Sequence, residues 1–289
     1  MKHRNLSGSA QVIELVHDGL RIRLKAWHDL SWLTEQGRLF CVFDQLISGN
    51  MCFGLDNGRE KLFIKYAGAP CLMYAGQPEA AVLRLREAEH RYSCLRHPAL
   101  NPLKASFEAA GGHALVFPWF EGFALAPLDL HMRSLRNLPL IPRLAMYDQL
   151  MDFIVYAASR DYLAAGISDH HILIDFVNHR AIFSSVDHYM RFPAATPYPK
   201  LPGSSWYLPE EAYQAGTPLG EASIVYSLGA LAFTLLSEIP FKKLRSWRAG
   251  EKLFNLACGA MARDPGMRTQ SAAAYQASWR QEVLHLRGL

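Results

Sequence analysis

The segment Ile224-Val-Tyr-Ser-Leu-Gly-Ala-Leu-Ala-Phe-Thr-Leu-Leu236 is apolar around nearly its whole circumference when wound as a helix. A helix at a domain surface keeps a polar face, whereas one without such a face is enclosed on all sides. The run is too short and too punctuated to cross a bilayer, which takes about 20 apolar residues. It therefore predicts a helix at the centre of a large helical body. The chain of 289 residues, 50% of them apolar, is long enough to build that body as one large domain or as two joined lobes.

The front of the chain has another rhythm. Leu39-Phe-Cys-Val-Phe43, Met51-Cys-Phe-Gly-Leu55 and Lys61-Leu-Phe-Ile-Lys-Tyr66 read as three strands. Asp56-Asn57-Gly58 turns between the second and third, because Asn and Gly tolerate positive φ. Gln77-Pro78-Glu79 starts a helix that carries Ala81, Leu85, Ala88 and Tyr92 on one face. Pro98 and Pro102 stop it, and strands follow over Leu103–Phe107 and His113–Phe117 around a Gly111-Gly112 turn. Beyond residue 120 the reading is mainly helical. A stripe of Leu144, Tyr147, Met151, Ile154 and Ala158 marks a helix over 144–159, and a β-like pair at 172–174 and 181–183 turns through Asn178-His179-Arg180. A β-rich front joined to a helical back predicts an α+β fold with a cleft near residues 118–123.

Composition removes several function classes. The charged fraction is 19% without low-complexity runs, which argues against disorder. A formal charge of +4 can assist anion binding but is too diffuse for a nucleic-acid surface. Cys41, Cys52, Cys71, Cys94 and Cys258 are widely spaced, with no Cys-x-x-Cys pair, and read as buried thiols in a reducing compartment. The basic start, Met1-Lys-His-Arg-Asn5, has no apolar stretch after it, so a secretory signal is not expected. The expected location is the cytoplasm.

Seven short motifs follow one another in a distinctive order. They are Lys65 within Phe63-Ile-Lys-Tyr-Ala-Gly68, then Ala114-Leu-Val-Phe-Pro-Trp-Phe-Glu-Gly122, Ile172-Leu-Ile-Asp175 and Ser185-Val-Asp-His-Tyr189. After them come Trp206-Tyr-Leu-Pro-Glu-Glu211, Tyr226-Ser-Leu-Gly229 and Ala262-Arg-Asp-Pro-Gly-Met-Arg268. Their order resembles that of the protein-kinase fold, and more closely a family of bacterial serine/threonine-kinase-like proteins, from about Phe40 to Trp279. The resemblance implies a two-lobed, kinase-like α+β fold. Residues 1–37 would form an N-terminal extension, 38–120 a small β-rich N-lobe and 121–289 a larger helical C-lobe.

It also implies roles for single residues. Lys65 would contact the phosphates of ATP as a compact positive charge, with Lys61 its nearest competitor and a plain surface lysine the local alternative. Gly49 matches part of the glycine-rich phosphate cover, or turns a hairpin with Asn50. Ala88 falls where a helix glutamate usually meets the lysine, with Glu87 and Glu89 on either side, each rotated about 100° around the helix. Phe117 would back the adenine site, Pro118 would offer its carbonyl, and Phe120 its N–H. Asp187 would hold Mg²⁺ or Mn²⁺, or cap its own turn.

The catalytic loop departs from the family pattern. Gly166 stands at the position of the proton-accepting aspartate, and His171 at that of a metal-binding asparagine. Asp169, three places after Gly166, could accept a proton, bind metal or cap the turn. Imidazole suits Mn²⁺ better than Mg²⁺. The adjacent His170 diverges from His171 and, without a cysteine partner, makes no zinc site. Glu210 and Arg268 would form the ion pair that anchors the back lobe. Ile224 replaces an aspartate that secures the catalytic loop. Two functions stay open: an ATP-dependent phosphotransferase acting on protein hydroxyls, or a pseudokinase that binds nucleotide or a regulatory protein partner.

Overall fold

Asp18 and Gly19 both adopt positive φ, 49° and 82°, and close a tight hairpin between β1 (Ile13–His17) and β2 (Leu20–Leu24). A computed structural model describes residues 12–125, 130–192, 194–195, 202–239 and 242–286. The chain divides into two compact units, the first running to Ser93 and resuming over Pro102–Phe120, the second formed by Cys94–Asn101 and the chain from Glu121.

In the first unit the hairpin is followed by α1 (Leu33–Gln36), β3 (Arg38–Phe43), β4 (Asn50–Asp56) and β5 (Lys61–Ala67). Then come α2 (Pro78–Cys94), β6 (Ala105–Ala109) and β7 (Gly112–Pro118). The last five strands form an antiparallel sheet ordered β3-β4-β5-β7-β6, with β5 at its centre. Alternation sends Phe53, Ile64, Tyr66 and Val116 to one face, where Ile22, Leu24, Trp32 and Leu33 cover them. The residues read from sequence as an N-terminal extension thus supply five of the sixteen buried residues of this core. Arg23 clamps the hairpin to the end of β3, its Nε and Nη2 each 3.0 Å from the buried Asp44 carboxylate. Strand β6 lies two residues later than 103–107, because the turn is made by Ala110 and Gly111, at φ 47° and 74°, and both strands run up to it.

The second unit begins with β8 (Phe123–Ala124), α3 (Leu130–Asn137) and α4 (Leu140–Ala158). Short strands β9 (Tyr162–Leu163), β10 (Ile172–Asp175), β11 (Arg180–Phe183), β12 (Met190–Arg191), β13 (Ala194–Ala195) and β14 (Pro218–Leu219) follow. Helices α5 (Glu221–Leu236), α6 (Glu251–Ala260) and α7 (Ala272–Leu286) complete it. From Ser223 to Leu236 every residue of α5 except Tyr226 is buried, as its all-round apolarity requires. Gly229 lets α6 approach, since a β-carbon there would lie 2.8 Å from the Ala257 carbonyl oxygen.

Helix α4 starts four residues ahead of the expected 144. Its first turn carries Arg143, a buried guanidinium whose Nε donates to Leu235 O at 2.6 Å and Nη2 to Ser237 O at 3.1 Å. These carbonyls at the end of α5 lack helical partners, and Arg143 satisfies them. The expected Glu210–Arg268 pair is displaced by one residue. Arg268 makes a bidentate pair with Glu211, Nη1–Oε1 2.6 Å and Nη2–Oε2 3.1 Å, while Glu210 turns outward to Arg263 at 2.7 Å. A 3-10 turn over Glu210–Tyr213 aims the second glutamate inward, where Ser223 Oγ also donates to it.

The architecture is therefore mixed α+β, with an N-terminal sheet region and a C-terminal helix-rich region. Among the described residues no helix is long and apolar enough to cross a membrane.

Candidate functional site

Lys65 sits on the central strand with its side chain on the face opposite the hairpin-covered core. It is 6% exposed, and Cys52 and Leu115 are its cross-strand neighbours. Its Nζ lies 5.9 Å from the Tyr92 ring centroid and 6.0 Å from that of Phe117, a distance at which ring quadrupoles favour a cation. Lys61, the competing lysine, is exposed on the same strand. Burial distinguishes the two lysines.

Helix α2 buries Ala88 against the sheet, so the flanking glutamates point elsewhere. Glu87 pairs with Arg91 at 2.9 Å. Glu89 lies 2.9 Å from the buried His113 and accepts from Ser106 Oγ, and the other His113 nitrogen is 2.9 Å from Glu108. Arg86 reaches Glu108 as well, at 3.0 Å, and holds that carboxyl below its usual range. These bonds fasten α2 to β6 and β7 and take both glutamates to partners other than Lys65.

Gly49 has φ +79°, and a β-carbon on it would lie 2.6 Å from the Tyr74 ring and 2.9 Å from Ala81 Cβ. Its carbonyl accepts from Cys71 Sγ at 3.4 Å, and the preceding Ser48 carbonyl from Arg84. Packing of the β3–β4 turn alone accounts for this glycine. Phe117 is buried with its ring 4.9 Å from that of Tyr92. Pro118 ends β7 opposite Leu62, and Phe120 is the last residue of the unit. A cavity of about 280 Å³ near Gly68, Gly111 and the start of α2 includes none of these residues in its lining.

In the second unit Gly166, Asp169 and His171 share one turn ahead of β10. Gly166 has φ +82°, and a β-carbon there would meet His188 Cβ at 2.8 Å. No aspartate fits this position without displacing His188. The Gly166 carbonyl accepts from His171 Nδ1 at 3.0 Å, which puts the lone pair of a neutral ring on Nε2. Asp169, in a 3-10 turn over Asp169–His171, accepts a hydrogen bond from the hydroxyl of the buried Tyr207. Burial raises the Asp169 carboxyl above its ordinary range, and the hydrogen bond from Tyr207 and the electrostatic influence of nearby His170 only partly oppose this. Tyr207 Oη is also 3.1 Å from Thr234 Oγ1, which ties the turn to the core helix α5.

Asp187 is 7% exposed in the turn after β11, where its N–H donates to Ser185 Oγ at 3.4 Å. Its neighbour His188 is the side chain that packs on Gly166, so this turn and the turn at Gly166 lie side by side. Gly203 and Ser204 add a further strand of backbone. A β-carbon on Gly203 would be 3.2 Å from Gly166 Cα, and Ser204 N–H donates to Ile167 O at 3.0 Å. Sequence reasoning missed Tyr207 and His188 as partners of this loop; both stood inside quoted motifs, but their contacts are non-local.

Among the described residues no three His, Cys, Asp or Glu side chains converge as a metal-holding group. A cation carried by phosphate oxygens takes only one or two protein ligands. By motif position the residues that would serve are Asp187, through its carboxylate, and His171, through Nε2, a donor set that suits Mn²⁺ better than Mg²⁺. No protein-family model matches the chain, and no curated protein matches its sequence.

Proposed function

We propose that the chain is a divergent, protein-kinase-like phosphotransferase that uses a nucleoside triphosphate, ATP by resemblance, with Mg²⁺ or Mn²⁺. The observation that carries this reading is Lys65, a lysine buried on the central strand between two aromatic rings. Phosphate oxygens supply the negative charge that such a cation favours. In this reading Lys65 holds the phosphates and Asp187 the cation, while Asp169 orients a protein hydroxyl. The hydroxyl oxygen bonds to the terminal phosphorus as the bond to the leaving diphosphate breaks, and the proton passes to Asp169 or to water.

Gly166 offers no acid–base group, and general-base catalysis commonly contributes about 10²–10⁴-fold. Phosphoryl transfer with a loose transition state depends more on positioning and charge than on proton removal. A slow enzyme is the expected result. One observation favours the second reading, a pseudokinase that binds nucleotide or a regulatory protein: the Tyr207 hydroxyl already engages the carboxylate of Asp169.

Equilibrium binding of ATP with Mn²⁺, followed by radiolabel transfer to protein and peptide panels, tests both. Lys65→Ala and Asp187→Asn should each weaken binding about tenfold or more, as expected for lost charge-assisted contacts. Unchanged binding in both folded variants would overturn the assignment. Binding without transfer to any panel member would favour the second reading.

A further inference from the structure

The surface beside Lys65 is already occupied by the protein's own rings. Side chains alternate along a strand, so Phe63, two residues before Lys65, lies on the same face of β5. Its ring centroid is 6.3 Å from that of Phe117, 6.3 Å from Phe43 and 6.4 Å from Trp119. Phe40 closes on Trp119 at 4.9 Å, edge to face. Gly54 makes room for this: a β-carbon on it would be 2.8 Å from both the Phe40 and the Trp119 ring.

A planar base is held by stacking on a ring face and by hydrogen bonds along its edge. The rings of this cluster are tilted to one another by 50–73°, which leaves no parallel pair for a base to enter between. Two of the three residues along that edge, 118–120, offer no N–H. Pro118 has no N–H, and the Trp119 N–H is spent on the Lys61 carbonyl at 2.9 Å. Polyphosphate recognition needs neither feature, only positive charge and a cation.

We infer that this chain recognises its ligand through the polyphosphate and the bound cation and is indifferent to the base, so that inorganic tripolyphosphate is as good a ligand as ATP. The inference rests on the phosphate-binding reading of Lys65 given above. It is tested by titrating the full chain with tripolyphosphate, ATP and GTP, each with Mn²⁺, by calorimetry. Dissociation constants within about tenfold of one another support it. ATP bound more than about tenfold more tightly than both others overturns it and leaves the phosphate reading standing. Failure of all three to bind overturns both. Phe63→Ala, with Phe40→Ala as a second variant should the first not fold, should open a base site and raise the preference for ATP over tripolyphosphate by about tenfold. A preference unchanged in every folded variant would show that the rings do not set selectivity and would sink the inference.

Discussion

A β-carbon on Gly166 would lie 2.8 Å from the β-carbon of His188, in a residue already held at φ +82°. Glycine here is a packing requirement as well as the loss of an acid–base group. The residue after Asp187 has taken the space that a side chain at position 166 would need.

Gly166→Asp should therefore destabilise the protein without restoring a fast enzyme. A non-glycine residue held at such φ costs about 1–3 kcal/mol, and the contact with His188 adds to this. The urea midpoint should fall, and His188→Gly, which removes the opposing β-carbon, should recover part of the loss in the double variant. A Gly166→Asp protein as stable as the parent would contradict the packing described.

The two glutamates at 210 and 211 should behave very differently. Arg268 has no side-chain exposure and Glu211 only 11%, so Glu211→Ala strands a buried guanidinium and should cost about 3–5 kcal/mol. Glu210→Ala removes an exposed pair with Arg263 and should change stability by less than about 1 kcal/mol. Burial pushes the Glu211 carboxyl up, but hydrogen bonds from Arg268 and Ser223 outweigh it and hold the group below its usual range. The folded pKa is depressed, so this stabilisation is present above the ordinary glutamate range and disappears as pH falls through the depressed value. Acid unfolding curves of the parent and of Glu211→Gln should converge at low pH.

Asp169 has the opposite sign. Its folded pKa is raised, so its favourable contribution is complete below the ordinary aspartate range and is lost as pH rises through the raised value. Asp169→Asn keeps an oxygen for Tyr207 to donate to and carries no charge. The variant should gain stability relative to the parent between acid and neutral pH, measured by thermal melts across that window, and lose transfer activity if Asp169 orients the hydroxyl. Tyr207→Phe, which removes the donor from a half-buried carboxylate, should cost about 1–3 kcal/mol. A flat difference between Asp169→Asn and the parent across pH would mean that burial does not perturb this carboxyl.

Much of the fold was legible because strands and helices write their period into adjacent residues. The strand at 61–66, the helix from Pro78 and the buried helix ending at Leu236 are all patterns read within one segment. The β1–β2 hairpin lay within a stretch read as an extension, and only its packing onto the sheet shows that it belongs to the core. Arg143 carries no local signal of its role, which is set by the carbonyls of Leu235 and Ser237, more than 90 residues away in sequence. In the candidate site, Lys65 and Asp187 could be named from motif order, whereas the engagement of Asp169 by Tyr207 could not.

The sequence by itself determined where the chain alternates and where it coils, and which charged residues stand in motif positions, because those are properties of neighbours along the chain. The tertiary structure alone decided that Glu211 and not Glu210 meets Arg268, that Gly166 is packed shut by His188, and that Phe63 and Trp119 fill the sheet beside Lys65. Each depends on which distant side chains share a few ångströms of space, and a rotation of one residue in a turn changes the partner without changing the pattern.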